Sequence, residues 1–542
     1  MQSLPIALWF GYSPISACKS RVVYSYPHAP LTSSLEWRPF WCSRTCGVAW
    51  TPENASQLSD HLKHTTSKVR VVGGGHSPTD LQCVEDGGTL VVIQDSFCDF
   101  EGLDRDNVAT FGAGCTVEYA LKTLLGEGRQ LYGFGGIAEQ RMGGAISTSL
   151  HGQHTTSFSD NVVGITSLLA NGSFLTLQEA DDTLRAWTGS MGRLGVITKV
   201  RIRTFPLQFV NCTTVEDADV FHFRSRLSSP SIVGFEAKRL LSRDTYTVRT
   251  CSESQPDTED VVVYENKDSV GSAFLVDNVA LPIVYLIGKR LVRSTMFANT
   301  MINAAEVASS REGIVASVND YRVSVSFNPH FDEEYSIPWS SCHDALEHIR
   351  SEFPELEVHA FLRRVDGDRS WTSWSPNPSC AIRLEYYDYS RHDFVEFERM
   401  FRFRVEHIVL QHNGSGHRGK LWYRTGDDLL RSSPRRLDFE HYRSSLDPSS
   451  RFENVYTSEM KREGRRVYPP LPVELQVRAF LWRLSTWFSI GITCLVALWV
   501  TTSACIPRGF DSRPKPQLET LTHAKVVVSV PRLERHIRSR NI

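Results

Sequence analysis

From Trp37 onward, apolar and polar positions fall into a run of helix-like and strand-like stretches. Pro52 to Lys63 carries Leu58 and Leu62 four residues apart, the spacing of one helix face. Val69 to Val72 is a β-branched run read as a buried strand, and Thr89 to Ile93 and Val108 to Gly114 read as two more. Val117 to Leu125 predicts another helix. The pattern points to an α+β protein.

Each strand-like run near the glycines ends in a segment with no room for ordinary side chains. Gly73-Gly-Gly-His-Ser77 follows the Val69 strand, and successive N–H groups in such a turn can converge on a phosphate. Gly133 to Gly152 holds six glycines in twenty residues, too many for a plain helix or strand, yet Ile137, Met142, Ile146 and Leu150 argue against an exposed loop. Trp187 to Thr198 repeats the theme of glycines followed by a strand. Three such segments suggest one extended, planar, phosphate-bearing ligand, and a dinucleotide fits.

The 542 residues allow two to four domains, and the formal net charge of -2 gives no reason to expect a nucleic-acid partner. The twelve cysteines show no zinc spacing, so no metal site is expected and free thiols are the default. Residues 1–36 read as a poorly structured lead. Leu484 to Ile506 is an uncharged run of 23 residues, long enough to span a bilayer, with Arg478 and Arg483 before it and a basic tail, 507–542, after it. Asn54, Asn171, Asn211 and Asn413 stand in N-x-[ST] sequons.

The three glycine segments resemble the FAD domain of the vanillyl-alcohol-oxidase type flavoproteins. Glu333-Glu-Tyr-Ser-Ile-Pro338 and Leu446-Asp-Pro to Tyr456 narrow the resemblance to the sugar-1,4-lactone oxidases. It implies an FAD-binding domain of two subdomains at 37–207 and an α+β cap or substrate domain at 208–465; the composition beyond adds a linker at 466–483 and a transmembrane helix at 484–506. Gly73, Gly74, Gly75, His76 and Ser77 would hold FAD, with His76 its covalent attachment point. Gly143, Gly144, Ser147, His151 and Gly152 would line the flavin, and Val196 and Ile197 the adenine side.

On the substrate side, the family's E-x-R strand aligns with Glu357-Val-His359, and its H-W-x-K motif with His417-Arg-Gly-Lys420. Glu357, His359, Arg383, His417 and Lys420 are the implied catalytic residues. His359 and Arg418 depart from the family pattern and would remove a fixed charge and a tryptophan, unless Arg363, Arg364 or Arg383 compensates. Leu150 and His154 place side chains where small residues are expected, which would shift the flavin loop or weaken binding. The implied reaction is oxidation of an aldono-1,4-lactone at C2 with O2, giving an ascorbate-type product and H2O2. The alternatives are a flavin dehydrogenase or alditol oxidase on the same fold, and a non-catalytic homologue. The family also implies a membrane location, in the endoplasmic reticulum or the mitochondrial outer membrane.

Overall fold

The computed structural model describes residues 48–254 apart from Pro78, Glu85, Asp86 and Ala138, then 313–315, 333–353, 359–385, 404–420, 433 and 435–459. The lead, Glu357, the span at 484–506 and the basic tail lie outside these residues. Among the described residues, no helix is long and apolar enough to cross a membrane.

The first domain begins with β1 (Val48–Trp50), α1 (Ala55–His64), β2 (Val69–Val72) and β3 (Thr89–Val92). β1 and β2 pair parallel on either side of β3. Asn54 caps α1 by accepting from the Gln57 N–H, and Leu58 and Leu62 turn into the core as their spacing requires.

A second, antiparallel sheet follows. Its strands are β4 (Phe100–Leu103), β5 (Val108–Gly112), β7 (Val162–Leu168), β8 (Phe174–Gln178) and β9 (Val196–Arg203), in the order β4-β5-β9-β7-β8. Between β5 and β7 come α2 (Val117–Gly126), β6 (Arg129–Gln130) and α3 (Met142–Ser147); α4 (Leu184–Trp187) precedes β9 and β10 (Phe205–Pro206) follows it. The short helix α3 corrects the reading of 133–152 as too glycine-rich for a helix. Tertiary contacts hold it in place: Met142 and Gly143 N–H donate to the Cys115 and Ala113 carbonyls at 2.9 Å. A Cβ on Gly143 would press to 3.2 Å from that of Ala113, so glycine permits the approach.

The second domain is built on an eight-stranded sheet. Its elements are β11 (Phe209–Ala218), α5 (Val220–Leu227), β12 (Gly234–Leu240), β13 (Tyr246–Ser254), β14 (Gly313–Val315), β15 (Glu333–Pro338), α6 (Cys342–Glu352), β16 (His359–Val365), β17 (Ser379–Glu385) and β18 (Ser415–Gly416). The order is β14-β11-β13-β12-β16-β17-β15-β18, with neighbours antiparallel. One face packs on α5 and α6 through Phe223, Leu227, Tyr335, Ile337, Leu346 and Ile349. Strand alternation turns Glu334 and Arg383, register partners on β15 and β17, toward the other face.

The chain then returns to the first domain through α7 (Arg436–Leu446) and α8 (Val455–Glu459). Phe439 enters the core of the antiparallel sheet, and Phe452 that of the parallel one. Arg70, buried on β2, ties this return together by donating to the carbonyls of Phe452 at 2.5 Å, Leu81 at 2.6 Å and Met191 at 2.8 Å.

Among the described residues the cysteines are bonded and not free thiols. Cys98 is bonded to Cys115, Cys212 to Cys251 and Cys342 to Cys380, with Cα atoms 4.3, 4.1 and 6.0 Å apart. Cys212 and Cys251 sit directly opposite each other on β11 and β13. Such pairs are set by tertiary register, which spacing along the chain does not reveal.

Candidate active site

The glycine segments converge where the two domains meet. Gly73, Gly74, Gly75, His76 and Ser77 form one wall of a deep cavity, and Gly143, Gly144 and Ser147 of α3 form another, with Gly192, Gly195 and Ile197 beyond. Glu334, Arg363, Arg383, His417 and Lys420 face them from the second domain. The cavity opens to solvent at its mouth.

The loop after β2 has the properties of a phosphate cradle. Gly75 adopts φ 69°, and a Cβ on Gly73 would collide with Arg141 Cβ at 2.8 Å. A Cβ on Gly74 would stand 2.8 Å from the ring of His76, so that ring lies over the glycine backbone. Among the described residues, the N–H groups of Gly73, Gly74 and Gly75 donate to no protein acceptor. Uncommitted backbone donors in a tight glycine turn are what an anionic pyrophosphate requires, so these residues fit FAD. Gly144 adds open space: a Cβ there would meet nothing within 4 Å.

Most of the expected FAD residues line this cavity. Gly152 and Val196 are not among its lining residues: Val196 is a core residue paired with Leu168 on β7, while its neighbour Ile197 reaches the wall. On the substrate side Arg383, His417 and Lys420 line the cavity, while His359 opens β16 with its backbone opposite Leu240 and Glu385.

The departures from the family pattern fall in different places. Arg418 is fully buried and points away, donating to Gly416 O at 3.0 Å, Thr372 O at 3.2 Å and Ser433 Oγ at 2.7 Å. Burial, then repulsion from Arg436, brings its pKa down to about 9. His154 stacks on Tyr132 with centroids 4.0 Å apart and accepts from the Thr156 N–H. Burial lowers its pKa to about 4, so it is a neutral structural residue at pH 7. Leu150 does line the cavity. The positive charge missing at His359 is available from Arg363 and Arg383, while Arg364 turns to Asp366 and the Ser229 carbonyl instead.

Sequence reading passed over the role of Glu334, although it sits inside a segment already singled out. Its Oε1 lies 3.0 Å from His151 Nε2, and both side chains are over nine-tenths buried. The polar atoms of His151, Glu334 and His417 lie within 4.8 Å of one another, a donor set the expectation of no metal did not foresee. The hydrogen bonds assign it another character. Gly419 N–H donates to His417 Nδ1 at 3.0 Å, so the ring proton of a neutral His417 is on Nε2. A metal on that Nε2 would have to displace the proton while Nδ1 is already accepting. Burial alone would raise the Glu334 carboxyl, but the positive charge that the His151 ring takes on at low pH and its hydrogen bond, then the charges of His417 and Lys420, hold it well below the usual carboxylate range. The cluster is an ionised carboxylate surrounded by donors.

Comparison with known proteins agrees with this geometry. Residues 48–178 match the family described as FAD binding domain, and residues 246–460 match D-arabinono-1,4-lactone oxidase. L-gulono-1,4-lactone dehydrogenase of Mycobacterium tuberculosis is 26% identical over 432 residues, covering 75% of this chain and 94% of that protein. D-arabinono-1,4-lactone oxidase of Kluyveromyces lactis is 32% identical over 172 residues, 30% of this chain and 31% of that protein. Among solved structures, a histidine-to-alanine mutant of cholesterol oxidase from Brevibacterium sterolicum aligns with a TM-score of 0.64 at 14% identity, covering 80% of this chain and all of that one. That likeness speaks to the fold alone, a mixed α/β FAD-binding architecture of two domains.

Proposed function

We propose that this chain, which matches the FAD binding domain over residues 48–178 and D-arabinono-1,4-lactone oxidase over 246–460, is an FAD-dependent oxidoreductase whose cavity oxidises an aldono-1,4-lactone at the C2 hydroxyl. The acceptor is O2, and the products are an ascorbate-type lactone and H2O2. One observation carries this reading: a glycine cradle with uncommitted N–H groups faces a wall of Glu334, Arg363, Arg383, His417 and Lys420.

Gly73 to Ser77 would hold the pyrophosphate of FAD, Gly143, Gly144 and Ser147 would give the ring system its close approach, and Ile197 would border the adenine side. Bound there, FAD supplies the hydride acceptor for a carbinol carbon. His76, with its ring over Gly74, is the attachment point if the cofactor is held covalently. Arg363, Arg383 and Lys420 favour negative charge developing on the substrate oxygen. Arg363 is partly balanced by Glu236, whose Oε2 lies 3.8 Å from its Nε.

The test is a visible spectrum of the purified protein, a denaturing gel viewed for flavin fluorescence, and a substrate panel of aldonolactones against open-chain polyols. Turnover of a lactone with H2O2 release supports the reading. A protein that takes up no FAD, or loads FAD and oxidises only polyols, overturns it. The mycobacterial relative, named a dehydrogenase and matched over nearly its whole length, favours a second reading in which O2 is a poor acceptor. Assay in air against an artificial dye separates the two.

The location follows from different features. The uncharged run 484–506 anchors the chain in the endoplasmic reticulum membrane, with the folded body in the lumen and the basic tail in the cytosol. Exposure of all four sequon asparagines and the cysteine bonds among the described residues support an oxidising compartment over the mitochondrial outer membrane. A mobility shift on glycosidase treatment, lost in the four Asn→Gln variants, is the expected result.

A further inference from the structure

We propose that His151 is the group that takes the proton from the substrate hydroxyl, and that Glu334 is the residue that positions it. The inference rests on the lactone-oxidase reading above for its substrate, and on the geometry of the His151–Glu334–His417 cluster for its residues.

His151 lies on the cavity wall, at the end of the turn that follows α3. Its Nε2 is 3.0 Å from Glu334 Oε1. A carboxylate at that atom fixes the tautomer: the ring proton sits on Nε2, donated to Glu334, and Nδ1 is left with its lone pair. That Nδ1 is buried and has no hydrogen-bond partner among the described residues. An orphan acceptor in a buried histidine costs stability unless something arrives to use it, and a hydroxyl in the cavity is such a donor.

The rest of the cluster fits the assignment. His417 has its Nδ1 taken by the Gly419 N–H, so it offers no free lone pair. Lys420 and Arg383 carry donors only and cannot accept a proton while charged. Trp374 flanks both rings, at 5.0 Å from His151 and 4.7 Å from His417, and limits how far either can turn. In the proton step, the substrate O–H bond breaks and an N–H bond forms at His151 Nδ1. The positive charge left on the ring rests against the Glu334 carboxylate, and the hydride lost from the carbon is accounted for by FAD. The charged and titratable groups that line the same cavity are Glu334, His417, Lys420, Arg363, Arg383 and His76, with Arg70 and Arg141 on the cofactor side.

The experiment compares the FAD-loaded wild type with His151→Asn, Glu334→Gln and Glu334→Asp, over the full pH range of kcat and kcat/KM. His151→Asn is expected to lower kcat by about 10²- to 10⁴-fold and to remove the acid limb of the profile, with FAD loading intact by absorbance. Glu334→Gln keeps the shape but loses the charge, so the acid limb moves to lower pH and kcat falls with little change in KM. Glu334→Asp restores part of kcat if it folds better than the glutamine variant. A second readout needs no turnover: histidine ¹⁵N spectra of wild type and variants, with His151 assigned by its loss in His151→Asn. An unprotonated Nδ1 that takes up its proton at lower pH in Glu334→Gln supports the dyad. A protonated Nδ1, or an acid limb that survives His151→Asn with kcat within about threefold, overturns it. Failure of every lactone to react in a wild type that loads FAD would count against the substrate reading, while the spectra would still decide the dyad.

Discussion

Ser77 and Gly419 are joined across 342 residues of sequence by a hydrogen bond, the Ser77 hydroxyl donating to the Gly419 carbonyl at 2.8 Å. The bond places the loop that cradles the cofactor against the turn that carries His417 and Lys420. Replacing the hydroxyl should therefore affect both functions at once. Ser77→Ala is expected to cost about 1 kcal/mol of stability, and to weaken FAD retention and raise KM together. Thermal melting with and without added FAD, alongside steady-state kinetics, checks it; a change in only one function would show that the two loops are held by other contacts.

Lys420 and Arg418 stand two residues apart and should behave oppositely. Lys420→Met removes a cation from the cavity wall and should lower kcat by about 100-fold with a nearly unchanged melting temperature. Arg418→Ala takes the guanidinium donors from the carbonyls of Thr372 and Gly416, and should cost about 3 kcal/mol of stability while the folded fraction keeps its kcat within a few-fold. Denaturant unfolding paired with activity per bound FAD separates the two outcomes.

His154 predicts a pH dependence of stability. Its pKa is about 4 in the folded protein against 6.5 for an ordinary histidine, so below pH 6.5 the unfolded chain binds a proton that the folded one refuses. Stability is then full above pH 6.5 and is lost as the pH falls toward 4, by about 3 kcal/mol in all. Glu334 adds to the acid loss further down, because its depressed carboxyl must be protonated as pH falls through its folded value. His154→Gln should flatten the upper part of this slope in urea unfolding between pH 6.5 and 4. An unchanged slope would assign the acid sensitivity elsewhere.

The cysteine bonds predict a redox requirement for folding. The Cys212–Cys251 bond closes a loop of 39 residues between paired strands of the second domain. Cys212→Ser with Cys251→Ser should lower stability by about 2 to 4 kcal/mol, seen as a lower urea midpoint, and should leave the absorbance of bound FAD unchanged.

How much of this the chain announces depends on how local each feature is. Gly73 to Ser77 is legible because strand, turn and nest are built from adjacent residues, and His417 and Lys420 because a short motif carries them. Glu334 lay in view within Glu333-Glu-Tyr-Ser-Ile-Pro338, yet its role arises only when β15 comes to rest beside His151, 183 residues earlier in the count from 334 to 151. The Arg418 substitution looked damaging on paper because a motif has no direction; the fold sends that side chain into a nest of carbonyls. Helix α3 escapes such a reading for a related reason, since propensity counts the glycines of 142–147 without the turn backbone at Ala113 and Cys115 that holds them.

The return of the chain at 447–457 has a consequence for how the molecule is made. Val69 N–H donates to the Arg451 carbonyl, Lys68 to the Ser450 carbonyl, and Asn454 to the carbonyls of Leu81 and Cys83, while Arg193 pairs with Glu453. The parallel sheet beside the cofactor loop is thus finished by residues that leave the ribosome nearly 400 positions after it begins. Synthesis cannot deliver a completed cofactor domain first and an accessory domain second. The nascent first domain must wait, open on one side, until the last segment arrives, and a messenger cut short before codon 447 would yield a chain with every glycine of the cradle and no means of closing it.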